Sequence, residues 1–202
     1  MEKSLILFLS AIMFLGLGAC SDEQPEPEHV YPPVDLHQTA LTMNQIAFFE
    51  NVSRFCGETF VGESTFPEND DHVLVGTELR AHLSECDERI IRIELYRGGD
   101  YWHGAWVLEQ RDDGLHLFHD HLGEVRSMED LGDDEAHGYG GYATDSGSAT
   151  RQYFAADDAT AEILPEAATN VWMLELEPEN ERFIYYLERH DEPRFRAEFE
   201  RQ

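Results

Sequence analysis

The residues best suited to chemistry are two histidines, His119 and His121, near the end of an apolar segment over residues 115–122. In a β-strand both imidazoles would project from the same face, because successive side chains alternate between two faces. Two imidazoles at this spacing can bind one transition metal such as zinc, with a third ligand supplied from elsewhere. The candidates for that third ligand are His82, His103, His137, Asp145, Glu188 and His190.

Three chemical roles fit this pair of histidines. As neutral interior residues, His119 and His121 would hydrogen-bond to groups such as tyrosine side chains, since buried polar groups need partners. As metal ligands they would hold a cation. As a polar clamp they would orient an organic ligand inside a largely apolar cavity. Asp120 lies between them and is predicted to face the other side of the strand.

A β-hairpin is predicted to position the two histidines. The dipeptide Asp113-Gly114 is typical of a two-residue turn, which would pair Trp106 with His121. One face of this hairpin carries leucines and tryptophans, so we expect it to point into the protein interior. The candidate ligand-binding residues on that face are Trp102, Trp106, His119 and His121.

Alternation of apolar and polar residues runs through most of the chain after residue 58. It is clear around Ile91 and Ile93, which flank Arg92, and it recurs at residues 194–200. Similar runs lie near residues 59–66, 73–86, 103–111, 115–122, 138–143, 149–154, 171–177 and 182–189. Eight to ten short strands predict a mainly β fold, an antiparallel meander closed into a lipocalin-like barrel, since closure removes exposed edges. A β-sandwich is the alternative, because alternation does not reveal closure.

Two helices are predicted beside these strands. Residues 42–56 place apolar side chains on one stripe at helical spacing, and Thr42 and Gln45 have the spacing of a capping box. This N-terminal helix should pack against one end or side of the barrel. A short helix near residues 157–164 should begin at Asp157 or Asp158 and end at Pro165.

The N-terminal residues predict export from the cytoplasm. Residues 5–17 form an apolar run that is too short to span a bilayer as a helix and is typical of a cleaved signal. The following Leu17-Gly18-Ala19-Cys20 resembles the lipobox of bacterial lipoproteins. The resemblance implies removal of residues 1–19, lipidation of Cys20 and anchoring in the cell envelope. Ser21 follows this cysteine, and a serine at that position resembles bacterial lipoproteins that are sorted to the outer membrane.

The chain after the lipobox divides into a tether and one domain. Residues 20–35 are rich in Pro, Asp and Glu and contain little to bury, so they predict an extended tether. Residues 36–202 are long enough for a single β-rich domain with a core of its own.

The charge balance narrows the classes of partner. The chain has 42 Asp and Glu residues against 14 Lys and Arg, a formal net charge of -28. Nucleic acid and anionic lipid would repel such a protein, so neither is an expected partner.

The cysteine count predicts one disulfide. With Cys20 lipidated, Cys56 and Cys86 remain as an even pair in an exported protein. In an oxidising compartment such a pair is expected to form a bridge.

Three functional hypotheses follow. The first is a non-enzymatic, lipid-anchored barrel that binds a small apolar ligand. The second is a metal-dependent enzyme or metal carrier that uses His119 and His121, and the third is an envelope scaffold that acts through its outer surface. The stretches 119–121 and 169–172 resemble exported bacterial proteins without assigned function, which implies no particular activity.

Overall fold

A computed structural model describes residues 41–68, 71–121 and 138–202 of the protein. These residues form ten strands, two α-helices and one 3₁₀ turn, which follows the second α-helix. In chain order the elements are α1 (Met43–Ser53), β1 (Thr59–Phe66), β2 (Leu79–Cys86), β3 (Ile90–Arg97), β4 (Tyr101–Arg111), β5 (Gly114–Asp120), β6 (Gly138–Ala143), β7 (Arg151–Ala156), α2 (Asp158–Ile163), the 3₁₀ turn (Pro165–Ala167), β8 (Asn170–Glu177), β9 (Arg182–Arg189) and β10 (Glu192–Arg201).

The ten strands form one closed antiparallel barrel. Each strand pairs with its neighbour in the chain, and β1 pairs with β10 to close the sheet. Phe60 lies opposite Arg201 and Gly62 lies opposite Phe199 across this closing seam. The prediction of a closed, lipocalin-like meander is therefore confirmed, and the β-sandwich alternative is wrong because all ten strands of the described residues belong to one closed sheet.

Strand alternation builds the core as predicted. Ile91 and Ile93 are fully buried inside the barrel, and Leu115 and Leu117 from β5 join the same cluster. Arg92, between the two isoleucines, lies on the outer face and pairs with carboxylates there. The period of two therefore separates an apolar interior from a charged exterior.

Helix α1 packs at the end of the barrel where β6 ends and β7 begins. Its predicted capping box is present, because Thr42 and Gln45 each bond the other's backbone N–H through their side chains. Phe48 and Val52 are buried in the core cluster. The Asn51 amide also donates to the Ala149 carbonyl oxygen, which ties the helix to the β6–β7 connection.

The predicted disulfide between Cys56 and Cys86 is confirmed. It joins the turn after α1 to the last residue of β2, at a separation of 30 residues along the chain. Cross-linking a loop of this length stabilises a fold by about 3–4 kcal/mol in the chain-entropy description.

The second helix is anchored to β5 and β6. Asp157 is its N-cap and accepts from the Thr160 backbone N–H, as predicted for this position. Asp157 also contacts His116 Nε2 at 2.9 Å, and the Thr160 hydroxyl donates to the Gly140 carbonyl oxygen. Pro165 ends the α-helix and begins the 3₁₀ turn.

The predicted hairpin between β4 and β5 forms, but its turn is displaced. Arg111 pairs with Gly114, so the turn residues are Asp112 and Asp113 rather than Asp113 and Gly114. Trp106 consequently lies opposite His119, not His121. The pairing of β4 with β5 is thus displaced by two residues from the predicted pairing. Each side chain stays on its predicted face, because the side-chain period of a strand is two.

No helix within the described ranges is long and apolar enough to cross a membrane. The predicted signal sequence over residues 1–19, Cys20 and the predicted tether over residues 20–35 lie outside the described residues.

Candidate functional site

A cavity of about 350 Å³ lies inside one end of the barrel. This cavity end is where β3, β5 and β9 end and where β4 and β10 begin, opposite the end that holds α1. Its wall comes from β3, β4, β5, β6, β9, β10 and the connection between β1 and β2. The volume falls within the range of pockets that bind small organic molecules.

Stacked aromatic rings form the inner wall of the cavity. Trp106 stacks on Tyr185 with ring centroids 4.6 Å apart, and His119 stacks on Tyr139 at 4.9 Å. Trp106 and His119 each retain only 4 % of their surface exposure. Such closely packed rings form a rigid aromatic wall, of which only a small part faces the cavity.

His119 is held by a hydrogen bond within this wall. Its Nε2 atom lies 3.0 Å from the Tyr185 hydroxyl oxygen. Burial lowers the pKa of His119 to about 3, since the charged imidazolium would lose its hydration. Burial likewise raises the pKa of Tyr185 well above its ordinary value. Both groups are therefore neutral at physiological pH, as expected for the first of the three predicted roles.

Glycine allows β6 to approach His119 closely. A methyl group at Gly138 would lie 2.2 Å from the His119 carbonyl oxygen and 2.4 Å from the Phe118 ring. Only a residue without a side chain fits there. The close approach brings the next residue, Tyr139, opposite His119 in the β5–β6 pairing.

A β-bulge changes the predicted lining on β4. Leu95 pairs with Gly104 and Tyr96 pairs with Trp102, so His103 is an extra residue between the two pairs. A bulge reverses the alternation beyond it. As a result His103 lines the cavity, which strict alternation from Trp106 did not predict.

The same bulge makes the predicted cavity position of Trp102 wrong. Trp102 is not among the residues that line the cavity, and its indole Nε1 donates to Glu94 Oε2 at 2.5 Å. Glu94 also accepts from Arg92, so Trp102 belongs to a polar cluster on the outer face of the barrel.

A second bulge directs an arginine to the cavity. On β10, Pro193 pairs with Glu188 and Phe195 pairs with Leu187, which leaves Arg194 as the extra residue. Arg194 and Phe195 both line the cavity, although neighbouring residues of a regular strand face opposite sides. Bulges are common at barrel rims, where they redirect side chains toward sites.

His121 lies at the exposed rim of the cavity rather than in its floor. Its ring is 5.2 Å from the Tyr139 ring and 6.4 Å from the His103 ring, measured between centroids. His119 and His121 thus line one cavity at two depths.

The predicted metal site gains no complete ligand set from this arrangement. Of the candidate third ligands, His103 lines the same cavity, and His137 lies outside the described residues. The remaining candidates are not among the residues that line the cavity: His82, Asp145, Glu188 and His190. Throughout residues 41–68, 71–121 and 138–202, no three His, Cys, Asp or Glu side chains converge closely enough to hold a metal ion.

Comparison with known proteins gives no further guide to function. No protein-family model matches the chain, and neither a curated protein nor a solved structure is detectably similar to it.

Proposed function

We propose that the barrel binds a small, largely apolar molecule in the cavity. The observation that supports this proposal is the combination of a closed barrel with a cavity of about 350 Å³ at one end. A barrel whose interior is fully packed has no room for a ligand, whereas this barrel has open space at the end opposite α1. Binding in such a cavity would bury most of the surface of the ligand.

The chemistry of the wall favours a ligand with an aromatic or alkyl body. Trp106, Tyr139 and Tyr185 offer ring faces, and Leu95, Leu187 and Phe195 offer apolar surface on other sides. Each buried CH₂ group contributes about 0.8 kcal/mol to transfer from water, so a ligand body of several carbons suffices for measurable affinity.

The test is fluorescence titration of the full chain with N-phenylnaphthylamine, a neutral apolar probe. We expect saturable binding to a single site, with quenching of tryptophan emission. Trp106→Leu should weaken binding by about threefold or more, because it removes one stacked ring from the wall. Trp102→Leu is the matched control and should leave affinity unchanged, since this ring lies on the outer face. Non-saturable binding, or equal losses in the two variants, would contradict the proposal.

We further propose that the protein is held in the cell envelope by lipid on Cys20, with the outer membrane as the favoured location. Support comes from the run Leu17-Gly18-Ala19-Cys20 and the proline-rich acidic residues after it. Two or three acyl chains give stable anchoring, whereas a single chain gives marginal binding. A bacterial host fed labelled palmitate should label the full chain, and Cys20→Ser should abolish both the label and membrane association. Label on the Cys20→Ser variant would refute the assignment.

A further inference from the structure

The cavity lining contains no carboxylate among the described residues, although the chain carries 42 Asp and Glu residues. It does contain two arginines, Arg189 and Arg194. In a protein with a formal net charge of -28, this local excess of basic groups is a reversal of the overall charge. A cavity that excludes negative side chains and presents positive ones is suited to an anion.

Arginines elsewhere in the described part of the chain mostly face carboxylates. Eight form ion pairs with Asp or Glu within the described ranges: Arg80, Arg89, Arg92, Arg111, Arg151, Arg182, Arg196 and Arg201. Within the same ranges neither Arg189 nor Arg194 forms an ion pair with a carboxylate. Both cationic groups at the cavity therefore retain donors for a bound anion.

Each of these arginines is positioned by a specific structural feature. The Arg189 Nε atom donates to Asn170 Oδ1 at 2.8 Å, and Asn170 is itself buried. This bond occupies one side of the guanidinium and leaves its terminal NH₂ groups for other acceptors. Arg194 is the extra residue of the β10 bulge and lies exposed at the cavity rim.

The surroundings of His103 reflect the same charge pattern. Burial, followed by the nearby His121, Arg97 and His72, lowers the pKa of His103 to about 4. The neighbours that shift this pKa are basic side chains, and no carboxylate is among them.

We propose that the ligand carries an anionic group, a carboxylate or a chemically similar sulfonate, that binds Arg189 and Arg194 while its apolar body lies against Trp106, Tyr139 and Tyr185. This assignment rests on the proposed function, because it names the class of ligand for the same cavity. The planar guanidinium forks match the oxygens of such a group and form charge-assisted hydrogen bonds with it.

A matched pair of fluorescent probes tests the assignment on the full chain. N-phenylnaphthylamine is neutral, and anilinonaphthalene sulfonate has the same two ring systems plus one anionic group. Arg194→Gln should weaken sulfonate binding by about threefold, because this arginine is exposed and its charge is partly screened. Arg189→Gln should weaken it by about tenfold or more, as expected for charged hydrogen bonds in a less exposed position. Neither variant should change the affinity for the neutral probe.

Arg54→Gln is the matched control. Arg54 is exposed at the C-cap of α1, at the other end of the barrel, so this variant removes one positive charge without touching the cavity. It should bind both probes like the wild type. Arg194→Lys should recover part of the sulfonate affinity, because it restores the charge but not the planar fork.

The outcomes separate the two proposals. Failure of the wild type to bind either probe would overturn the proposed function. Saturable binding of the neutral probe, with unchanged sulfonate affinity in Arg189→Gln and Arg194→Gln, would overturn only the anion assignment. Equal losses for both probes would also overturn it, since that pattern reports a general change in the cavity.

Discussion

Single side chains in the cavity wall account for its chemistry. His119 is buried but neutral; its Nε2 atom is satisfied by the Tyr185 hydroxyl, whereas its Nδ1 atom has no hydrogen-bond partner among the described residues. Buried polar groups with partners cost little, whereas unpaired ones cost about 1–3 kcal/mol. The hydrogen bond to Tyr185 thus offsets only part of the cost of placing an imidazole among the aromatic rings.

The depressed pKa of His119 predicts a loss of stability in acid. The native pKa is about 3 against an ordinary value of 6.5, so between these values only the unfolded chain binds the proton. The contribution of His119 to the free energy of unfolding is therefore complete above pH 6.5 and falls as the pH falls toward 3. At pH 5 the loss should be about 2 kcal/mol.

The measurement is urea unfolding of the wild type and His119→Gln at pH 7.5 and pH 5. The neutral amide cannot titrate, so the variant should lose about 2 kcal/mol less than the wild type over this interval. Comparing the two proteins cancels the titration of the carboxylates that they share. An identical pH dependence in both would show that His119 does not supply it.

A second residue prediction concerns the ion pairs on the outer face. Arg92 contacts Glu94 at 2.6 Å and Asp120 at 2.9 Å, and the Asp120 side chain is only 5 % exposed. Removing the shared cation by Arg92→Met should cost about 3–5 kcal/mol, because two partly dehydrated carboxylates would remain near each other.

Arg80→Met is the matched control for this prediction. Arg80 pairs with Asp100, whose side chain is 94 % exposed, so its loss should cost less than about 1 kcal/mol. Chemical denaturation of both variants gives the comparison. A cost for Arg92→Met no larger than for Arg80→Met would be inconsistent with a stabilising network.

Strands and helices are the part of the structure that alternation predicts well. Both helices and the strand positions follow from periodicity, caps and turn residues, because these are local signals. Closure was instead inferred from the removal of exposed sheet edges. Bulges are harder to predict from the sequence, since one extra residue in a strand does not change its composition noticeably. The bulges at His103 and Arg194 were therefore not predicted. Because the first bulge was missed, Trp102 was predicted to face the cavity, whereas it lies on the outer face.

The residues of the candidate site were predictable only where they lie on the β4–β5 hairpin. Trp106 and His119 were placed correctly because they lie in a regular part of the hairpin. Arg189 and Tyr185 are on β9, far from the hairpin in the chain, and only barrel closure brings them to the same cavity. No local pattern encodes that approach.

The bridge between α1 and β2 gives a prediction about elements. Replacing both Cys56 and Cys86 with serine should lower the free energy of unfolding by about 3–4 kcal/mol, since the unfolded chain regains the freedom of a 30-residue loop. Thermal and urea unfolding under non-reducing conditions would measure this. The wild type with dithiothreitol should move toward the variant, and the variant itself should not respond. A reductant-sensitive variant would show that another group is responsible.

The molecule as a whole is dominated by negative charge. With 42 acidic against 14 basic residues, repulsion among carboxylates opposes the compact state even though many arginines are paired. Raising salt from ~0.01 M to ~1 M shortens the screening length from about 30 Å to about 3 Å.

Stability should therefore increase with salt. We expect the Tm of the full chain to rise across this range, by about 2–4 °C for each kcal/mol of repulsion relieved. Potassium chloride is the salt of choice, because chloride is only weakly excluded from protein surfaces compared with sulfate. A Tm that falls with salt would show that the surface ion pairs outweigh the net repulsion.

The proposed function requires that a ligand binds at the cavity end of the barrel. Leu187→Trp tests this requirement, because Leu187 lines the cavity and the larger indole ring would occupy the binding space. Val107→Trp is the matched control, since Val107 lies on the outer face between the buried Trp106 and Leu108. With circular dichroism unchanged in both, calorimetric titration with N-phenylnaphthylamine should show binding to the wild type and Val107→Trp but none to Leu187→Trp. Undiminished binding by Leu187→Trp would contradict the proposed function.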